Sequence, residues 1–437
     1  MTLDFWSFIM MFLVKRSVLS ALFVCFILSG LKAHSASEQK EAGHHQHGSH
    51  PECPIPQTAM DVLKCASENH PKIRAAQLDE QVQGGVEKRE GQIPNPSLNL
   101  ETVSGEMGNV SRKETKISLM QPLEIGGGRG ARIDLAKANT FRSRAELEEV
   151  RANIMIETVI NLYRLYQLKL QSESSERTIQ AYQNSINSLK RRAALSPEQK
   201  VSLSVFQMAL AEAKLRVLSI SEERRSLGLY FHMATGNSYD EIKGVLPSQY
   251  KWPTLSESVE IKSPAKAKAV AEQMAAEAQL NQEQASSWPV LAIGPMVQME
   301  EEGSDKVNLY GLQLSFPLPL FNVNGGGRKA AQLGVQRSQE LLKITERVES
   351  HEREETLHNY EDSLKALKES PQFNQIDEEN RKNQKLAGSG LIPASLAIEA
   401  QRSNAELIKT LQERELKTLQ ALWTIYKLDG RILTESL

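Results

Sequence analysis

Tyr310-Gly311-Leu312-Gln313-Leu314-Ser315-Phe316-Pro317, with Gly325-Gly326-Gly327 a few residues on, is the stretch that decides the fold. Tyr310, Leu312, Leu314 and Phe316 take every second position, the period of a half-buried strand. The glycine triplet opens a run without proline as far as Pro371, and this run reads as a helix from Gly325 to about Leu367 that Pro371 breaks. Upstream, Leu291, Ile293, Val297 and Met299 alternate on a preceding strand. The spacing predicts a hairpin that feeds directly into a long helix.

The same order stands nearer the N-terminus. Residues 58–91 read as a helix, Leu98 and Leu100 alternate with polar neighbours, and a turn spans Gly105 to Asn109. Ile117 and Leu119 alternate again up to Pro122, and Gly126-Gly127-Gly128 follows. From about Ala131 to Arg192 there is neither proline nor glycine, and Ile133, Ala136, Leu147, Val150, Ile154, Leu162 and Leu165 recur at helical spacing. A helix of about 60 residues is about 90 Å long. After a break at Ser196-Pro197 a second long helix runs to about His232; the later copy repeats this with a helix over 255–287, a break from Gly388 to Pro393 and a last helix from Ala394 to Leu428.

The landmarks recur at one period. Pro71 returns as Pro264 and Pro96 as Pro289, since 264 − 71 and 289 − 96 are both 193. Ser202-Leu203 and Leu229-Tyr230 return as Ser395-Leu396 and Leu422-Trp423 at the same offset, and Pro122-Leu123 returns as Pro317-Leu318 at 195. A fixed period over so many landmarks means two copies of one unit, 58–250 and 251–437.

Composition narrows the class. Over 437 residues, 52 Lys+Arg against 54 Asp+Glu leave a net charge of −2, without the basic excess of a nucleic-acid binder. A mean hydropathy of −0.40 excludes a bundle of membrane-spanning helices. The three cysteines exclude a disulfide-dense scaffold and a four-cysteine zinc site. Lys15-Arg16, the apolar run from Val18 to Leu31 and the small residues of Ala33-His34-Ser35 read as a secretory signal peptide over 1–35, with an anchoring helix as the alternative; the start is Met1 or Met11. Cys25 lies inside the apolar run and not in a lipoprotein cleavage motif, so no lipid anchor is expected. Residues 36–57 form a polar leader expected to be flexible.

A secreted chain with no later apolar span cannot cross a membrane by helices. Its four alternating strands have the length and pattern of transmembrane β-strands, but four cannot close a barrel, and open edges in lipid leave backbone groups unpaired. Several chains would have to share one barrel: two would supply eight strands and three would supply twelve. The charged long helices would extend into the periplasm. The expected fold class is therefore a mixed α/β membrane protein, long α-helical coiled coils joined to a transmembrane β-barrel shared between protomers, with outer-membrane lipid as one partner. The bland alternative is a soluble periplasmic metal-binding coiled-coil protein.

Several motifs carry a resemblance. They are Ala66 to Ala75, Asn95-Pro96-Ser97-Leu98, Gln121-Pro122-Leu123-Glu124-Ile125-Gly126-Gly127, and Leu314 to Phe321 followed by Asn324 to Arg328. In this order and at this period the chain resembles the TolC-type outer-membrane efflux proteins, in their cobalt-zinc-cadmium resistance subgroup, over about residues 58–437. The resemblance implies a homotrimer with a twelve-stranded barrel, whose long helices themselves close into a periplasmic α-helical barrel, acting as the exit duct of an inner-membrane RND pump through a periplasmic adaptor. The cargo it implies is heavy-metal cations, with drugs, organic compounds or a secreted protein as alternatives. Family tips often carry an acidic Gly-Glu pair; here they read Ala194-Leu195-Ser196-Pro197 and Gly388-Ser389-Gly390-Leu391.

No catalytic constellation appears. Gly126-Gly127-Gly128-Arg129-Gly130 lacks the Gly-Lys-Ser/Thr ending of a phosphate loop, so Gly126, Gly127 and Gly128, like Gly325, Gly326 and Gly327, are read as strand-to-helix turns. His44, His45, His47 and His50 form the candidate metal-ligand set, suited to Zn, Cu, Ni or Co; the alternative is a polar leader rich in histidine, and no cofactor is required. His232, His351 and His358 read as surface or packing residues. Cys53 and Cys65, twelve positions apart in an oxidising compartment, are expected to form a disulfide, against two free thiols. Leu195, Ser196, Pro197, Gly388, Gly390 and Leu391 mark the periplasmic mouth and the expected adaptor contact, against plain helix-to-helix turns.

Overall fold

The computed structural model describes residues 53–437 except 109, 248–249, 258–259 and 389–391. The expected signal peptide and His44, His45, His47 and His50 lie outside the described residues.

The chain opens with α1 (Ala59–Asn69) and α2 (Pro71–Glu90). One helix over 58–91 was expected, and the structure divides it at His70. The reason is local: the ring of Pro71 disfavours helical backbone at the residue before it, and His70 has ψ 136°. Thr58 caps α1 by a reciprocal box, in which Asp61 N donates to Thr58 Oγ1 (3.2 Å) and Thr58 N donates to Asp61 Oδ2 (2.8 Å).

Four strands follow in two pairs, β1 (Ser97–Met107) with β2 (Val110–Leu123), and β3 (Leu291–Glu302) with β4 (Asp305–Ser315). They form one antiparallel sheet in the order β1-β2-β3-β4. Gly105 and Glu106 belong to β1, so the first turn is tighter than the sequence suggested. Gly108 (φ 67°) and Gly303 (φ 60°) take the left-handed conformation in the two turns, and 303 − 108 = 195. Pro295 lies inside the interior strand β3, and the β2–β3 register lapses at Gly294 and Pro295, where proline has no N–H to give. Only glycine fits at 294, because a Cβ there would run into the Leu119 carbonyl.

The helices are α3 (Gly128–Lys190), α4 (Pro197–Thr235), the single turn α5 (Tyr239–Ile242), α6 (Pro264–Ala285), α7 (Gly325–Glu369), α8 (Phe373–Gly388) and α9 (Ala394–Leu428). The helix expected over 255–287 starts only at Pro264, because Ser263 caps it and accepts from Lys266 N at 3.0 Å. α3 runs for 63 residues without interruption, whereas its counterpart is split into α7 and α8 around Pro371. Ser370 before that proline is extended at ψ 149°.

Below the sheet, α2 lies against α3, α3 against α6 and α6 against α7, the same lateral order as the strands above them. The repeats do not form separate cores. Leu63, Met155, Val159 and Tyr163 of the first pack with Leu357, Tyr360, Leu422, Trp423 and Ile425 of the second. Tyr163 stacks on Tyr250 (centroids 4.5 Å) and Tyr250 on Trp252 (5.1 Å), so the connection between repeats is drawn into the same core. Arg353 clamps that connection to the end of α9. Its guanidinium donates to Asp429 Oδ1 (2.6 Å) and to the carbonyls of Ser256 and Glu257 (both 2.9 Å), with the two side chains 5% and 3% exposed.

A disulfide joins Cys53 to Cys65 with the Cα atoms 6.2 Å apart. It holds the start of the described chain to α1 and to the end of α4, where Cys53 N donates to Thr235 O at 3.4 Å.

Candidate functional site: an open sheet and a helical tip

Register divides the sheet into two unlike faces, because alternate residues of a strand point to opposite sides. Leu98, Leu100, Ile117, Leu119, Ile293, Val297, Tyr310, Leu312 and Leu314 fall on one face, as the pairs Leu98↔Leu119, Leu100↔Ile117, Ile117↔Val297 and Val297↔Tyr310 require. These side chains are largely open, Leu312 at 79% and Leu100 at 69%. Charge appears on this face only beside the hairpin turns, at Glu106, Lys113, Glu301 and Lys306, where Lys306 Nζ lies 2.6 Å from Glu301.

The opposite face is polar along most of its length. Asn99, Glu101, Glu114, Lys116, Ser118, Gln298, Glu300 and Gln313 lie on it, with Met120 and Met296 among them and Val103, Val307 and Leu309 nearer the turns. Its acidic residues are Glu101, Glu114, Glu300, Glu302 and Asp305, against Arg112 and Lys116 as the basic ones, and Arg112 reaches Glu300 at 3.8 Å. Among the described residues β1 and β4 each pair on one side only, so both outer edges present backbone groups without a partner there. Among the described residues no helix is long and apolar enough to cross a membrane.

The glycine turns differ between the repeats. In the first, Gly127 (φ 79°) caps α3 and Gly126 lies tight on Trp288, where a Cβ would come within 2.9 Å of the Ala285 carbonyl. In the second, the left-handed position belongs to Asn324 (φ 52°), and Gly325, Gly326 and Gly327 are already helical. That corrects the reading of the triplet as the turn itself. Asn324 is held by its amide, which donates to Glu283 Oε2 and Ser286 Oγ at 2.6 Å each. Asparagine is one of the few side chains that tolerates this conformation, and an Asn directly before a glycine run was the available signal.

At the far end, Ser196 caps α4 in a box with Gln199 and Pro197 takes the first helical position. Leu195 is half-buried. Gly388 ends α8, while Gly390 and Leu391 lie outside the described residues. The two tips are brought together: Ile398 of α9 packs with Tyr182, Ile186, Phe206 and Ala209 of α3 and α4. Arg402 of α9 reaches Glu212 of α4 at 2.5 Å, and Asp377 of α8 binds Arg177 of α3 at 2.6 Å.

Midway along the helices, Gln167 Nε2 donates to Glu415 Oε2 (3.1 Å) and to Tyr250 Oη (2.9 Å). Burial pushes the Glu415 carboxyl above the usual carboxylate range, against the lowering effect of its hydrogen bonds from Tyr250 and Gln167. Burial likewise raises Glu349, whose oxygens accept from Ser263 Oγ at 2.6 Å. Sequence patterning had no means of finding these pairs, which are far apart along the chain. His232, His351 and His358 are exposed, with His232 Nδ1 3.1 Å from Gly236 O and His351 4.0 Å from Glu354. Among the described residues no group of three or more His, Cys, Asp and Glu could hold a metal ion.

No protein-family model matches the chain. Over 299 residues it is 25% identical to the cobalt-zinc-cadmium resistance protein CzcC of Cupriavidus metallidurans, covering 65% of this chain and 68% of that protein. It is 26% identical over 244 residues to the nickel-cobalt-cadmium resistance protein NccC of Alcaligenes xylosoxydans, covering 54% of each. The fold matches the open state of the Neisseria gonorrhoeae MtrE outer membrane channel with a TM-score of 0.66, at 14% identity, over 86% of this chain and 91% of that one.

Proposed function

We propose that this chain, which has the fold of the TolC-type outer-membrane channels and heavy-metal resistance proteins as its sequence relatives, is the passive outer-membrane exit duct of a tripartite efflux system for heavy-metal cations. The observation that carries the reading is the sheet: one apolar face, one polar face and two unpaired edges. Such a sheet is complete only when β4 of one copy meets β1 of the next, and three copies close a barrel of twelve strands with the polar faces inward. The helices extend the duct into the periplasm. Val201, Met208 and Leu215 on α4, exposed and spaced by seven, support a seam against a neighbouring copy.

No chemistry is performed on the cargo. An RND pump in the inner membrane supplies the energy and a periplasmic adaptor docks on the tips around Leu195, Ser196, Pro197, Gly388, Gly390 and Leu391. The cargo is of the zinc, cobalt, cadmium and copper class, by analogy with what the relatives are named for. His44, His45, His47 and His50 supply imidazoles for transition-metal binding in the N-terminal leader. The test is growth of a deletion strain on Zn, Co, Cd, Ni, Cu and Ag beside a drug panel, with cell metal measured and membranes fractionated. Metal hypersensitivity with accumulation, reversed by the restored gene, is expected. Drug sensitivity with normal metal handling would remove the cargo assignment, and a soluble mature protein would remove the duct.

A further inference from the structure

A cavity of about 480 Å³ lies where the two repeats meet the connection between them. Sites for drug-sized molecules measure about 300–1,000 Å³. Tyr166 of α3, Trp252 of the connection, Leu364 of α7, Phe373 of α8 and Leu411 of α9 give it apolar and aromatic walls. Trp252 stacks on Tyr250 and Tyr250 on Tyr163, so that wall is fixed before any ligand arrives. Pro371 and Gln372, at the elbow between α7 and α8, line the cavity too. The elbow has no counterpart in the first repeat, where Thr178, 193 positions before Pro371, lies inside the unbroken α3.

A single carboxylate, that of Glu415, serves this apolar space. It accepts hydrogen bonds from Gln167 and Tyr250, and among the described residues no cationic side chain pairs with it. Lys368, which also lines the cavity, is exposed. A buried carboxylate without a counter-ion is costly, and a ligand that brings a positive charge removes that cost. Aromatic walls attract the same charge through their ring faces. A bare metal ion is a poor match, because it needs several ligand atoms in place of its water and meets one carboxylate among aromatic rings.

We propose that this cavity binds an amphipathic organic cation, an apolar body carrying one ammonium group, with the ammonium against Glu415 and the body among Tyr166, Trp252 and Phe373. Such a ligand touches α3, α9 and both sides of the elbow, so its binding holds the joint at one angle. The site lies within one chain, and the inference does not rest on the duct reading. The test is calorimetric titration of the full chain in detergent with benzyltrimethylammonium, beside N-benzylacetamide, which is of similar size and uncharged. Saturable binding of the cation is expected, at least about 10-fold tighter than that of the amide. Glu415→Gln should weaken it by about 10-fold or more, and Lys368→Gln should tighten it by about 2-fold. Absence of saturable binding, or equal affinity for the two compounds, would overturn the proposal. If Glu415→Gln fails to fold, the opposite shift at exposed Lys368 and the pair of compounds still decide. A chain that binds the cation and yet fractionates as soluble would overturn the duct and support this site.

Discussion

A lysine at Leu100 and a lysine at Asn99 differ by one position in β1 and should differ by several kcal/mol in effect. Leu100 pairs with Ile117 on the apolar face and Asn99 with Ser118 on the polar one. A strand of 11 residues is about 37 Å long and, tilted by about 40°, spans about 28 Å, close to the ~25 Å apolar band of an outer-membrane barrel. Leu100 is two residues from the middle of β1, which places it about 5 Å from the midplane, where a lysine costs about 2–3 kcal/mol. In three symmetric copies the penalty is about 6–9 kcal/mol per assembly. At Asn99 the same charge would face the water-filled lumen of the proposed barrel and should change stability by no more than about 0.5 kcal/mol. If the sheet instead faced water on both sides, Leu100→Lys would be as mild as Asn99→Lys, since the leucine is 69% exposed within one chain. Denaturant titration in lipid vesicles measures both. Equal midpoints for the two variants would refute the assignment of faces.

Three further outcomes are expected. The excess of five acidic over two basic residues on the polar face should make the proposed pore cation-selective in planar bilayers, and Glu114→Gln with Glu300→Gln should move the reversal potential toward zero. His70 is buried, and burial followed by the charge of Lys72 holds its imidazole below the ordinary value of 6.5. The unfolded chain then takes up a proton that the folded chain refuses, so stability should be lost as pH falls from 6.5 through the lower folded value. His70→Asn, which keeps an acceptor for Lys72 N, should flatten that dependence in melts between pH 7.5 and 5. Removing the Cys53–Cys65 disulfide as Cys53→Ser with Cys65→Ser should cost about 2–3 kcal/mol, the scale for so short a loop, and expose the segment before α1 to limited proteolysis.

The strands were legible because Tyr310, Leu312 and Leu314 must share a face, and a one-residue slip would turn all of them over. The long helices were legible because nothing between Ala131 and Lys190 interrupts them, and α9 runs as read, from Ala394 to Leu428. Proline was ambiguous. Pro371 broke a helix as expected, and Pro71 broke one too, inside a run that reads as continuous, with the next helix starting at the proline itself. The difference is set by His70, whose Nδ1 accepts from Lys72 N (3.2 Å) and restarts the helix. Pairing between distant segments left no local trace. Nothing near Ile117 announces Val297 as its partner, and Arg353 finds Asp429 across 76 positions. At the junctions, composition pointed to the glycines, but the conformation itself had passed to Asn324 in one copy.

The unequal rods of the two repeats bear on how the proposed trimer moves. α3 is a single stiff stave of 63 residues, while α7 and α8 form a jointed one with its elbow at Ser370–Gln372. Three chains would set stiff and jointed staves alternately around the ring. Such a hoop does not dilate evenly: the stiff members keep their line while the jointed ones give way at a common height. Its mouth would therefore widen into a three-cornered opening, with the corners set by the duplicated helix that lost its continuity.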